Sequence, residues 1–266
     1  MSYQEKTISS GAVLEILQGR TRWLKGRIRN PKARESSIKQ QELNWKNSWK
    51  KLIRILNENF VPGDLLITLS YQKEPSEEEG EKILAKFMRK FRKYTRDTTE
   101  EALRYVDITE VDDEHRLHHH IICQSMYITP ALLLELWDWR GRIDIGTLDG
   151  DPMYNWLAAY FVKQERNCKY KKGWNQSRNL RKPKESEPKK ISERKLDAQP
   201  KLPKGYLLVD YWTYADSYGN KYRYIMAIKQ ERRRYLPDEM QQHIEKLEEQ
   251  RKKREKSRNL ANKKTT

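Results

Sequence analysis

Four of the chain's five histidines lie between residues 115 and 120: His115, His118, His119 and His120. The apolar run Ile121, Ile122, Cys123 follows, and the stretch as a whole reads as a strand. Side chains alternate faces along a strand, so His118 and His120 project the same way, about 7 Å apart along it. Two imidazoles so placed suit a divalent cation. With the preceding hairpin turning near Asp113–Glu114, Glu110 falls roughly opposite His118 and brings a carboxylate to the same face. A slip of one residue in that register would reverse the face. Two histidines and a carboxylate leave coordination positions open, which suits Mg²⁺, Mn²⁺ or Zn²⁺ acting as a Lewis acid on a phosphate.

Forty residues on, Tyr160 and Lys163 stand three apart, on one face of a helix at about 100° per residue, and Gln164 shares that face. A tyrosine hydroxyl has a pKa near ~10, so it is a weak nucleophile without help. A polarised phosphate and a neighbouring ammonium supply that help. Attack by Tyr160 on a phosphodiester would leave a phosphotyrosine and release a 3′ hydroxyl, conserving the bond for later rejoining. Tyr154 precedes Tyr160 by six residues, about 240° around a helix. The two would not share a face, so a single tyrosine is expected to act.

The elements that must position these groups follow from periodicity. DLLITLSY (64–71) reads as a buried strand containing Thr68. Ser76 with Glu79 is a capping box opening a helix whose core face is Ile83, Leu84, Phe87, Met88 and Phe91. LRYVDITEV (103–111) and LHHHIICQ (117–124) are two strands joined by the polar turn DDEHR. Thr129–Pro130 caps a short helix to about Trp137, and RIDIGTL (142–148) is a fourth strand. Asp151–Pro152 opens a helix through Met153, Trp156, Leu157, Tyr160 and Phe161. The order β-α-β-β-α-β predicts an α+β, ferredoxin-like antiparallel sheet with helices on one face and the other face free for a substrate.

Around this centre four segments are expected: a basic N-terminal extension and helix over 1–60, the nuclease domain over 61–165, a basic segment over 166–204, and a C-terminal hairpin and charged helix over 205–266. In the first, GAVLEIL and RTRWLKGRI flank Gln18–Gly19 as a candidate hairpin. Ser36 to Phe60 follows as a helix with the apolar stripe Ile38, Trp45, Trp49, Leu52, Ile53 and Leu56, read as a packing helix. The third holds 14 Lys/Arg against four acids and few apolar residues, so it is expected to be poorly ordered. The fourth turns at Tyr218–Gly219–Asn220.

The chain of 266 residues carries 55 Lys/Arg against 38 Asp/Glu, a net charge of +17, with a pI near 9.7. That favours a polyanionic partner, most simply nucleic acid. Arg166, Lys169, Lys171, Lys172, Arg178, Arg181 and Lys182 are candidate phosphate contacts, and Trp174 either stacks on a base or anchors its loop to the core. Cys123 and Cys168 lack CxxC partners, against a zinc ribbon or a disulfide framework. No apolar stretch approaches the ~20 residues that span a membrane, and the first residues lack a signal-peptide apolar region. A cytoplasmic protein with no membrane association is expected.

Taken together, DLLITLSY, HRLHHHII and YFVK resemble the motifs of the rolling-circle replication initiators of plasmids and phages, within the HUH endonucleases. GWNQSRNLRKPK (173–184) resembles the stretch that follows in the Gram-positive plasmid and phage proteins. The resemblance covers roughly residues 60–184. It implies His118 and His120 as metal ligands, Glu110 as a third ligand, Tyr160 as the nucleophile that nicks one DNA strand and Lys163 as its assistant. It implies Mg²⁺ or Mn²⁺ as cofactor, single-stranded or hairpin DNA at a replication origin as substrate, a host helicase and polymerase as partners, and a bacterial host cell. His119 departs from the pattern, since that position is usually apolar. It is expected to be a core or edge histidine with a hydrogen-bond partner. A mobilisation relaxase or single-tyrosine transposase shares the chemistry, and a non-catalytic DNA-binding protein shares the fold.

Overall fold

The structure is a computed structural model that describes residues 2–20, 38–112, 114, 116–148, 154, 157–158, 174–236 and 238–263. The chain forms two compact units, Ser36–Lys182 and a second made of Met1–Glu35 with Pro183–Thr266. This division differs from the four consecutive segments expected, because the two ends of the chain share one sheet.

In chain order the elements begin with β1 (Gln4–Ser10), β2 (Val13–Gly19) and α1 (Ile38–Asn59). Next come β3 (Leu65–Leu69), α2 (Glu77–Thr99), β4 (Tyr105–Val111), β5 (Leu117–Cys123), α3 (Pro130–Leu136) and β6 (Ile143–Thr147). The short strands β7 (Asn175–Gln176), β8 (Lys184–Glu185) and β9 (Lys189–Lys190) precede α4 (Arg194–Asp197). The long hairpin β10 (Tyr206–Ala215) and β11 (Lys221–Lys229) leads through a 3₁₀ turn to α5 (Asp238–Lys263). No described helix is long and apolar enough to cross a membrane.

The central unit is α+β, with a ferredoxin-like β-α-β-β-α-β core. Its sheet runs β6-β3-β5-β4-β7, and every pairing is antiparallel. Both predicted caps form. Ser76 accepts from Glu79 N while the Glu79 carboxylate takes the Ser76 N–H, and Thr129 caps α3 ahead of Pro130. Alternation splits each strand between two faces. Leu65, Ile67 and Leu69 of β3 with Ile121 and Cys123 of β5 pack against Leu84, Phe87, Met88 and Phe91 of α2 and Leu133 of α3.

The opposite face is not bare, which corrects the expectation of a free substrate surface. Leu52, Ile55 and Leu56 of α1, with Phe60, form one core cluster with Val106, Ile108 and Ile122. An apolar stripe this wide on α1 must bury somewhere, and this half of the sheet is where it does so. Tyr154 and Ala158 join the same cluster. Tyr154 takes a left-handed φ of 49°, so the right-handed helix begins after it rather than through Met153. The Asp151–Pro152 cap lies outside the described residues.

The segment expected to be poorly ordered, in its described part, is built into the two sheets. Asn175 and Gln176 add β7 to the edge of β4, opposite Asp107 and Val106. Beyond residue 182, β8 and β9 extend the edge of β1 in the other unit. That unit's sheet runs β10-β11-β2-β1-β8, with β9 also on β1. The N-terminal hairpin is real but turns at Gly11–Ala12, not at Gln18–Gly19. Gly11 has a φ of 56°, a conformation suited to glycine. RTRWLKGRI lies outside the described residues after Arg20. The second hairpin turns where predicted, with Asp216 Oδ1 accepting from the N–H groups of Tyr218 and Asn220.

Candidate functional site

The strand registers decide which groups meet. Glu110 pairs with His118, Thr109 with His119 and Ile108 with His120 across β4 and β5, while Thr68 of β3 pairs with His120 from the other side. Direct partners on antiparallel strands share a face. Glu110, His118, His120 and Thr68 therefore lie together on the α1 side, beyond the apolar part that α1 covers.

Within this group the contacts are short. His120 Nε2 stands 2.7 Å from Glu110 Oε2, and its Nδ1 stands 3.1 Å from Thr68 Oγ1. Both partners are largely buried, each side chain 11% exposed. His118 is more open, and its Nε2 approaches Asp112 Oδ2 at 3.4 Å. That nitrogen is shielded from solvent yet makes no hydrogen bond in the protein. An unsatisfied buried acceptor beside two carboxylates is the kind of atom a cation completes.

The donor set is thus chemically right for a divalent cation: two imidazole nitrogens and carboxylate oxygens, with one ring braced from behind by a hydroxyl. Among the described residues, however, no three such groups already stand in a metal-holding arrangement. Glu110 and His120 bond to each other, and binding a cation requires them to part.

Asp112 belongs to this site and was missed. It lies two residues beyond Glu110, so strand alternation alone puts it on the same side. Hydrogen bonds from the Arg116 and Glu114 backbone, with the Arg116 guanidinium, hold its carboxyl below the usual carboxylate range and build the turn. His115 lies outside the described residues.

His119 points to the opposite face and is fully buried. Its Nε2 meets Tyr71 Oη at 2.8 Å and its Nδ1 meets Thr109 Oγ1 at 2.9 Å. Burial depresses its pKa to about 3, with the neighbouring histidines adding to the effect. It is a neutral core histidine, as expected. A cleft of about 640 Å³ lined by Tyr71, Glu74 and Arg140 opens near Tyr71 and includes neither His118 nor His120.

Tyr160 and Lys163 lie outside the described residues, as do Arg166, Lys169, Lys171 and Lys172. Leu157 and Ala158, just before Tyr160, pack in or against the core cluster on the histidine side of the sheet. Tyr154 is 2% exposed, consistent with a single acting tyrosine.

Trp174 takes the anchoring alternative. Its Nε1–H donates to Ser48 Oγ at 3.3 Å, and Lys51 Nζ sits 5.5 Å from its ring centre. Arg181 is also tied to the core, its guanidinium donating to the Glu58 carbonyl and its backbone N–H to Asn59 Oδ1. Lys182 is exposed. Arg178, exposed as well, lines a cleft of about 520 Å³ with Arg92 and Arg96. The described part of GWNQSRNLRKPK is therefore largely a strap across the central unit.

Residues 64–165, fewer than half of the chain, match a family model described as a replication-associated protein of the ORF2 type. The chain is similar in fold, at a TM-score of 0.31 and 16% identity, to the hypothetical protein ORF119 from Sulfolobus islandicus rod-shaped virus 1, over 46% of this chain and 97% of that one. No curated protein matches.

Proposed function

We propose that this chain is a replication initiator that nicks and rejoins one DNA strand through Tyr160. The observation that carries the reading is the cluster of Glu110, His118 and His120, with Thr68 behind His120. The match of residues 64–165 to a replication-associated family supports the biological setting.

The tyrosine oxygen attacks the scissile phosphorus and the bond from phosphorus to the 3′ oxygen breaks. A 5′-phosphotyrosine forms, the tyrosine proton passes to solvent or a nearby base, and the departing 3′ oxygen takes up a proton. The Lys163 ammonium offsets charge that builds on the phosphate. A divalent cation, Mg²⁺ or Mn²⁺, held by His118, His120 and Glu110 would polarise the scissile phosphate. Because the phosphotyrosine conserves the bond, a later 3′ hydroxyl can attack it and restore the strand. The substrate is then single-stranded or hairpin DNA at an origin, and the released 3′ end serves a host helicase and polymerase.

The test is covalent capture. Incubation with Mn²⁺ and single-stranded DNA from the protein's own replicon should give an SDS-resistant protein–DNA adduct that Tyr160→Phe lacks. An adduct of equal yield in Tyr160→Phe would refute the assignment.

A further inference from the structure

The charge of this chain is concentrated away from the histidine cluster. The unit formed by Met1–Glu35 and Pro183–Thr266 holds 30 Lys/Arg against 16 Asp/Glu, whereas Ser36–Lys182 holds 25 against 22. Nearly all of the net +17 therefore belongs to the terminal unit.

That unit's sheet has one covered face and one displayed face. On the covered face Leu14, Ile16, Ile225 and Ala227 pack with Leu247 of α5. On the other, Trp212 pairs with Tyr224 and Tyr214 with Tyr222 across β10 and β11. The rings stack, with centroids 5.3 Å apart at 22° and 4.8 Å apart at 13°. The inner rings are fixed through their hydroxyls, Tyr222 to Asp216 Oδ2 at 3.2 Å and Tyr224 to Glu15 Oε1 at 2.8 Å. Gly19, opposite Tyr222, leaves room for that ring, because a β-carbon there would collide with it. The outer rings are 46% exposed for Trp212 and 52% for Tyr214. They lie on β10, the edge strand.

Large aromatics are rarely left so open on an ordered strand without a ligand to cover them. The register adds a cation: the row that starts at Tyr214 and Tyr222 runs through Gly19 and Gln4 to the exposed Lys190. Rings held flat and open at one edge of a sheet, with positive charge across it, match a chain of unpaired bases joined by phosphates. Stacking on aromatic side chains tolerates any base, and the charge tracks the backbone.

We infer that the displayed face of the terminal sheet, centred on Trp212 and Tyr214, binds single-stranded DNA by base stacking. The choice of DNA over RNA rests on the nicking reading above; the stacking surface does not.

The test uses the full chain carrying Tyr160→Phe, in EDTA, so that no chemistry at the histidine cluster enters. Anisotropy of a fluorescent (dT)₂₀ should show binding that weakens at least tenfold in Trp212→Leu/Tyr214→Leu, while Trp212→Tyr stays within about threefold. Unchanged affinity in a leucine variant with a normal circular dichroism spectrum overturns the inference. So does light scattering in which that variant turns a dimer into a monomer, since the face would then be an interface between copies. Photo-crosslinking of an iodouracil oligonucleotide to the otherwise unaltered protein should label the stretch 206–229, whatever the leucine variant's folding. Its absence there, or tighter binding of (rU)₂₀, also overturns it. Failure of covalent capture with these results intact would refute the nicking alone.

Discussion

Glu110 faces His118 across the β4–β5 hairpin, yet its carboxylate reaches diagonally to His120, Oε2 to Nε2 at 2.7 Å. Both nitrogens of His120 are thereby engaged, since Thr68 holds the other at 3.1 Å. A hydroxyl on Nδ1 fixes the ring's orientation and tautomer, which is the role outer partners play for metal-bound histidines. Thr68→Val should weaken Mn²⁺ binding by about 10–100-fold, measured by calorimetric titration. Thr68→Ser should restore it. Nicking by the valine variant should recover as Mn²⁺ is raised.

His118 should matter to chemistry more than to grip. Its Nε2 lacks a hydrogen bond in the protein, so little structure depends on it. His118→Ala is expected to abolish nicking while DNA affinity stays within about threefold, and EDTA should do the same to the unaltered protein until Mn²⁺ or Mg²⁺ is returned. Nicking at the normal rate in either experiment would exclude the metal role.

One tyrosine is expected to act. Tyr154 is buried among Leu52, Leu56 and Ala158, where DNA does not reach it. Tyr154→Phe should leave the yield of covalent adduct unchanged, and the linked peptide, sequenced after digestion, should contain Tyr160 only.

His119 separates stability from chemistry. Replacing it by alanine opens a cavity beside Trp137, whose ring centre is 6.1 Å away, and strips Tyr71 and Thr109 of a partner. The combined cost is about 2–5 kcal/mol, read as a fall in the urea midpoint. Mn²⁺ affinity of the folded fraction should hardly move, because the ring lies on the opposite side of the sheet from His118 and His120.

Local rules carried the sequence a long way in the central unit. The Ser76–Glu79 capping box and Thr129–Pro130 cap act over three or four residues, and both helices begin where those residues place them. Glu110 was placed opposite His118 because only the five-residue turn DDEHR separates the strands, so few registers are open. What stayed hidden is non-local. Nothing in VLEILQG announces pairing with β11, some 200 residues away, and a two-residue strand such as Asn175–Gln176 is too short to have a period. The cover that α1 provides was hidden for the same reason. Its stripe of Trp49, Leu52 and Leu56 declares a buried face but not what buries it.

Asp107 supplies the pH dependence that follows from burial. It lies on β4 facing away from Glu110, is 4% exposed and accepts one hydrogen bond, from Asn175 Nδ2 at 3.3 Å. Desolvation wins over that bond and raises its pKa from 3.8 to about 6. The folded state therefore holds the proton more tightly than the unfolded chain. Its contribution to stability is greatest below the unfolded value and is lost as pH climbs through about 6. Asp107→Asn keeps an oxygen for Asn175 and removes the charge. At pH 8 the variant should be more stable than the parent by about 1–3 kcal/mol, and the gain should shrink toward zero near pH 4. Urea titrations of both proteins at the two pH values check it. A variant less stable at pH 8, or a gain independent of pH, would mean that the carboxylate is stabilised in the fold by more than the single bond from Asn175.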